Sequence, residues 1–254
     1  MLLNFDLNKL NNYNSESQKV RVLTENWVAK NIFCPSCGDK IFEYENNRPV
    51  ADFYCNSCKE DYELKSKNTK TLGSTIADGQ YNIMINKITN NTNPHFFFLN
   101  YEKKNYEIIN FLAVPKYLFM PDMIIPRNKG LKNRPNYIMC NMNISTIPDS
   151  GKIFFIKEKK VEEKSKIIDT WNKTKFLNNT KLNQKGWLID IMFCIEKMKK
   201  QDFILQDIYS FVPYLKTKYP NNNFIEDKIR QQLQILRDKN YLSFEARGKY
   251  KIKA

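Results

Sequence analysis

The sequence predicts two domains of different class, an α/β domain on a mixed sheet over residues 1–182 and a smaller α+β domain over residues 183–254. Three observations carry this expectation. Apolar, aromatic runs of strand length recur between residues 95 and 156, behind an amphipathic helix pattern. Dense charge and Asn/Thr replace them between about 157 and 185. Beyond Gly186, three helical patterns precede two short strand patterns around Arg247-Gly248.

Taken in order, residues 15–31 (SESQKVRVLTENWVAKN) space Val20, Leu23, Trp27 and Val28 along one helical face, with Ser15 or Ser17 as cap. A cysteine-bearing segment follows. From 49 to 65, PVADFYC and EDYELK read as an antiparallel strand pair, and STIADGQYNIMINKI (74–88) reads as a helix. HFFFLNY (95–101), YEIINFLAV (106–114), YIMCNM (137–142) and KIFFI (152–156) read as strands of one mixed sheet flanked by helices. KEKKVEEKSKIIDTWNKTKFLNNTKLNQK (157–185) reads as a solvated helix and then a linker. WLIDIMFCIEKMKK (187–200), FILQDIYSFVPYLKTKY (203–219) and FIEDKIRQQLQILRDKN (224–240) read as helices, and YLSFEARGKYKIKA as a closing hairpin. Three helices and a hairpin is the winged helix-turn-helix order.

The chain has 254 residues, 42% of them apolar, enough to bury a core. Forty-one Lys and Arg against 27 Asp and Glu leave a charge of +14, and residues 183–254 are the denser part, with 14 basic against 8 acidic side chains. Nucleic acid is the polyanion such a field most commonly serves, with an acidic membrane surface second. No apolar stretch reaches the length of a membrane span, and MLLNFDLNKL is too short and too acidic for a secretory signal, so a cytoplasmic protein is expected. A single histidine excludes sites that need several, and the seven glycines form neither G-x-G-x-x-G nor G-x-x-x-x-G-K.

Cys34-x-x-Cys37 and Cys55-x-x-Cys58 enclose 17 residues, the spacing of a closed four-thiolate structural Zn²⁺ site. Two disulfides or four unrelated cysteines are the alternatives, disfavoured in a chain with no export signal. Cys140 and Cys194 sit in apolar surroundings and read as buried hydrophobes, and His95 as structural.

Glu63 and Lys65 are two apart on a strand and therefore share a face, which Asp52 joins if the two strands pair. Two carboxylates are hard donors suited to Mg²⁺, and an ammonium beside them can orient the attacking water and offset charge on phosphorus. Metal-assisted phosphodiester hydrolysis follows as a hypothesis. An ordinary solvated Glu-x-Lys pair is the competing reading, and Glu25 reads as a surface glutamate rather than a metal contact.

Pro49-Val-Ala-Asp52, the ten residues between Asp52 and Glu63, and the preceding amphipathic helix resemble the PD-(D/E)XK nucleases, although Pro49 is not adjacent to Asp52. LTENWV, the CPSC knuckle, YENNRPVADFYC, ELKSK and a winged helix with KIRQQLQILRDK look more closely like the DpnI-type restriction endonucleases, over nearly the whole chain. That resemblance implies a PD-(D/E)XK restriction-endonuclease-like mixed sheet with an inserted zinc knuckle and a C-terminal winged helix, both reading DNA. It further implies a methyl-directed type II enzyme that cleaves double-stranded GATC methylated at adenine N6. By it, Asp52 and Glu63 would bind Mg²⁺, Lys65 would serve the water, and Cys34, Cys37, Cys55 and Cys58 would hold Zn²⁺.

Along 224–240, Ile225, Ile229, Leu233 and Leu236 form one apolar face, leaving Asp227, Arg230, Gln231 and Gln234 on the other. Gln matches adenine and Arg matches guanine in bidentate geometry, so Arg230, Gln231 and Gln234 are candidate base readers, with a merely solvated face as the alternative. Arg247 and Lys249, with Lys251, are placed to reach phosphates or the minor groove. Tyr137, which stands where the best-known relative has tryptophan, is a candidate contact to the methylated step, or else a sheet-face tyrosine. The expected partner is double-stranded DNA with no membrane, met by a monomer. A zinc-knuckle and winged-helix regulator that binds DNA without cutting it is the competing function.

Overall fold

The helix expected behind Ser15 forms as α1 (Glu16–Asn31) and buries Leu23, Thr24, Trp27 and Val28; the Ser15 hydroxyl contacts that of Ser17 rather than capping. The computed structural model describes residues 1–10, 15–45 and 51–253, and the chain divides into two units, 1–145 with 150–175 and 146–149 with 176–254. Pro49 lies outside the described residues.

In the first unit, β1 (Ile41–Glu43), β2 (Phe53–Cys55) and β3 (Asp61–Asn68) are followed by β4 (Thr75–Gln80) and α2 (Tyr81–Thr89). Then come β5 (His95–Glu102), β6 (Glu107–Val114), β7 (Ile124–Pro126), β8 (Met139–Asn143), β9 (Ile153–Lys157), β10 (Lys160–Val161) and α3 (Lys164–Thr174). Among the described residues, seven strands form a mixed sheet in the order β1-β2-β3-β5-β6-β9-β10, in which β3 and β5 run parallel and the other pairs antiparallel. β5 is buried along nearly its whole length, which is why its sequence is a continuous apolar run rather than an alternation. One face of the sheet sets Phe97, Leu99, Phe111 and Phe155 in a core with Trp27 of α1 and Trp171 of α3.

Three expectations are corrected here. Residues 74–88 are a strand and then a helix: β-branched Thr75 and Ile76 enter β4, and the Gln80 side chain accepts from the Ile83 N–H to start α2. YIMCNM does not join the large sheet; β8 is the middle strand of a second, antiparallel sheet, β4-β8-β7. The helix in 157–185 is only half solvated, since Ile167 and Trp171 are each 1% exposed. The spacing of Ile167 and Trp171 at i and i+4 carries that face. Trp171→Ala removes a large side chain from a core that includes Tyr62 and His95 and is expected to cost about 3–5 kcal/mol. Urea unfolding of the full chain measures this.

The second unit runs α4 (Leu182–Lys197), β11 (Asp202–Ile204), α5 (Leu205–Tyr209), α6 (Val212–Lys218), α7 (Ile225–Asp238), β12 (Leu242–Ala246) and β13 (Lys249–Ile252), with its strands in the order β11-β13-β12. This is a winged helix-turn-helix. The single helix expected over 203–219 is instead a strand and two short helices. Phe203 pairs with Tyr250 in the wing sheet, and Pro213, which has no N–H to donate, opens α6 rather than continuing α5. Ile225, Ile229, Leu233 and Leu236 are buried as their spacing predicts. No helix among the described residues is long and apolar enough to cross a membrane.

Candidate active site and metal centre

Each C-x-x-C forms a knuckle in which the residue after the second cysteine takes a left-handed turn, Gly38 at φ 81° and Lys59 at φ 60°. The turns are closed by Gly38 N–H to Cys34 O (2.8 Å) and Lys59 N–H to Cys55 O (3.0 Å). They bring Cys34, Cys37, Cys55 and Cys58 together, with all four sulfurs within 4.8 Å of one another. The Cys34–Cys58 and Cys37–Cys55 separations are 3.4 and 3.5 Å. A disulfide needs about 2.05 Å, whereas a tetrahedron with Zn–S of about 2.3 Å sets sulfurs roughly 3.8 Å apart. The four free thiols therefore fit a tetrahedral Zn²⁺ and not two bridges. Burial pushes the Cys34 thiol well above the usual range and Cys37 up to about 11. Burial acts on Cys55 in the same sense, but the N–H groups of Cys58 and Ser57 bring it below its ordinary value. The Tyr62 hydroxyl, 3.0 Å from Cys34 Sγ, ties the knuckle to the sheet core, where the Tyr62 ring stacks on Phe97.

β2 leads into the second knuckle and β3 leads out of it, antiparallel as the sequence predicts, with Phe53 opposite Tyr62. At the end of their ladder, Asp52 donates its N–H to Tyr62 O at 2.9 Å, and its carboxylate Oδ2 accepts the Leu64 N–H at 2.7 Å. A side chain thus takes over a main-chain bond, which anchors the Asp52 carboxylate beside residues 63–65. Tyr62 and Leu64 face the core that holds Phe97, and by strand alternation Glu63 and Lys65 share the opposite face. Lys65 Nζ lies 2.5 Å from Glu63 Oε1. It also lies 2.5 Å from Asp78 Oδ1, on β4 of the second sheet.

Asp78 is the residue that sequence reasoning missed. It fell inside a segment read as helix, where strand partners are not considered; the β-branched pair before Asp78-Gly79 was the available signal. Burial raises the Glu63 carboxyl above its ordinary value, and the charges of Asp78 and Asp52 add to this against Lys65. Burial by itself would lower Lys65, but Glu63 and Asp78 reverse it and hold the ammonium charged. Glu25 is less of a surface residue than expected. Its side chain is 20% exposed, pairs with Arg21 at 2.7 Å, and is raised first by burial and then, in part, by the charge of Asp52. A cavity of about 370 Å³ opens beside Lys65, lined also by Lys67, Ile76, Asn100 and Asn141.

His95 is structural, as expected. Its Nδ1 accepts the Lys116 N–H at 2.9 Å, so the proton sits on Nε2 and is donated to Glu60 at 2.9 Å. Cys140 and Cys194 are buried hydrophobes. On the winged helix, Arg230, Gln231, Gln234, Arg247 and Lys249 are all exposed. Arg230 is braced by the Tyr209 hydroxyl at 2.5 Å and by Asp227, and Lys228 donates to Gln231 Oε1 at 2.8 Å. Tyr137 is half-buried and closes a turn through its N–H to Arg134 O at 2.9 Å, in an exposed segment that carries Arg127, Lys129, Lys132 and Arg134.

Comparison with known families matches residues 1–180 to the family described as the Dam-replacing family, and residues 183–252 to the Dam-replacing HTH domain.

Proposed function

The chain belongs to the Dam-replacing family, and from that premise we propose that it is a methyl-directed type II restriction endonuclease of PD-(D/E)XK type. It cleaves double-stranded DNA at GATC methylated at adenine N6, by Mg²⁺-dependent phosphodiester hydrolysis. The observation that carries the reading is the Lys65 ammonium held 2.5 Å from Glu63 on one strand face, with the Asp52 carboxylate anchored beside it.

The donor set fits a hard divalent cation. Asp52 and Glu63 offer two carboxylates beside the Lys65 ammonium, and burial with the charges of Asp78 and Asp52 raises the Glu63 carboxyl, an environment that a cation would relieve. Asp52 and Glu63 would hold Mg²⁺, which when bound polarises a phosphate oxygen and makes water a better nucleophile. Lys65 orients the attacking water and offsets the charge that builds on phosphorus, its ammonium preset by its carboxylate partners. The Leu64 N–H keeps Asp52 from swinging away. The zinc knuckle holds β2, and with it Asp52, in register with β3 and does no chemistry itself.

In the winged helix, Arg230, Gln231 and Gln234 would read base edges from α7, while Arg247 and Lys249 would meet phosphates. One buried methyl group is worth only about a kcal/mol at roughly 25 cal/mol per Å². Strong methyl dependence therefore calls for readings in series, and Tyr137 would supply one from the nuclease unit.

Incubated with Mg²⁺, the protein is expected to cut a plasmid carrying adenine-methylated GATC into fragments ending at GATC, and to leave the unmethylated plasmid whole. Cutting of both would discard methyl direction. Retarded but uncut DNA in both would discard the nuclease for a binding regulator.

A further inference from the structure

Within the nuclease reading, on which this inference rests, we propose that Asp78 is a positioning residue. It holds the Lys65 ammonium in place when Glu63 turns to the metal ion. Lys65 Nζ is 2.5 Å from Glu63 Oε1 and 2.5 Å from Asp78 Oδ1. Glu63 would be shared between the ammonium and the metal, so it would not by itself fix a side chain with four rotatable bonds. Asp78 supplies the second anchor from a different sheet, with its side chain 7% exposed and pairing with Lys65.

The backbone is built for this. β4 pairs with β8 in register from Thr75–Asn143 to Asp78–Cys140, and the register then shifts before Gln80–Met139, which leaves Gly79 as an extra residue. Such a bulge bends a strand and re-aims the side chain beside it. Immediately afterwards Gln80 caps α2 through the Ile83 N–H, so the segment around Asp78 is held by β8 on one side and a helix start on the other. A carboxylate fixed in this way acts on the reaction through Lys65. It need not touch the DNA.

The test is single-turnover cleavage of the methylated plasmid by full-length wild type, Asp78→Asn, Lys65→Ala and the double variant, over graded Mg²⁺, with duplex affinity measured in Ca²⁺. Asp78→Asn is expected to cut about 10- to 100-fold more slowly, with Mg²⁺ half-saturation and duplex affinity within about twofold of wild type, and the double variant no slower than Lys65→Ala. An unchanged rate overturns the proposal. So does a raised Mg²⁺ half-saturation, which would make Asp78 a metal ligand, or losses that add in the double variant. If Asp78→Asn melts below the assay temperature, Asp78→Glu carries the test. It keeps the charge one methylene further out, and slower cutting at unchanged Mg²⁺ half-saturation supports the proposal while a wild-type rate overturns it. A wild type that cuts no DNA at any Mg²⁺ concentration fails the nuclease reading, a result distinct from wild type and Asp78→Asn cutting equally fast.

Discussion

Asp52→Asn is expected to lower the rate of DNA cleavage by at least about a thousandfold, roughly 4 kcal/mol of transition-state stabilisation, while duplex binding survives. Asparagine is the informative substitution because Asp52 has two duties. Its Oδ2 accepts the Leu64 N–H at 2.7 Å, and alanine would leave that donor unpaired at a cost of about 1–3 kcal/mol. The asparagine oxygen can keep this bond while the charge is lost. Asp52→Ala is thus expected to lose cleavage and some stability, and Asp52→Asn to lose cleavage alone. Melting temperature, duplex retardation and cleavage measured side by side separate the two duties. A variant with asparagine that cuts at the wild-type rate would remove Asp52 from the metal site.

Removal of zinc should have an effect of comparable size on folding. Structural Zn²⁺ contributes about 10–16 kcal/mol of apparent binding free energy in small zinc domains, which matches or exceeds the 5–15 kcal/mol of a typical domain. Cys55→Ser, or a strong chelator, is expected to abolish the cooperative melt of the first unit, residues 1–145 with 150–175, and with it cleavage. The reason is local: Cys55 ends β2, and Asp52 immediately precedes that strand. Through Tyr62 the knuckle also reaches Phe97 at the centre of the sheet. The winged-helix unit has its own buried core and should keep its melt. Zinc takes thiolates, and thiols are largely protonated at neutral pH, so binding releases protons. The zinc contribution to stability is therefore present at neutral pH and lost as pH falls. Zinc release and near-UV circular dichroism across a pH series follow this directly, and a zinc-free protein that melts like the loaded one would refute it.

Much of both sites could be read from local pattern. Two C-x-x-C turns converge wherever their flanking strands pair, and Glu63 and Lys65 share a face by the two-residue period of a strand. Ile225, Ile229, Leu233 and Leu236 turn inward by the 3.6-residue period of a helix, which presents Arg230, Gln231 and Gln234 to solvent. These inferences need only neighbours in sequence, where geometry is dictated by backbone periodicity.

Tertiary structure alone decided the rest. Nothing local distinguishes YIMCNM as a strand of the second sheet, because strand partners are chosen by packing between segments far apart in the chain. Pairing with β8 holds residues 75–80 as a strand directly before a helix, and that pairing carries Asp78 to Lys65. Trp171 has a local signal in its i, i+4 spacing from Ile167, but only packing sets it beside His95 and Tyr62. Composition, spacing and period thus predicted a two-unit chain, the cysteine knuckle and the strand face that Glu63 and Lys65 share, and the family resemblance added Asp52 to that pair as an expectation. Long-range pairing, which no single segment encodes, determined what surrounds that set and holds its lysine.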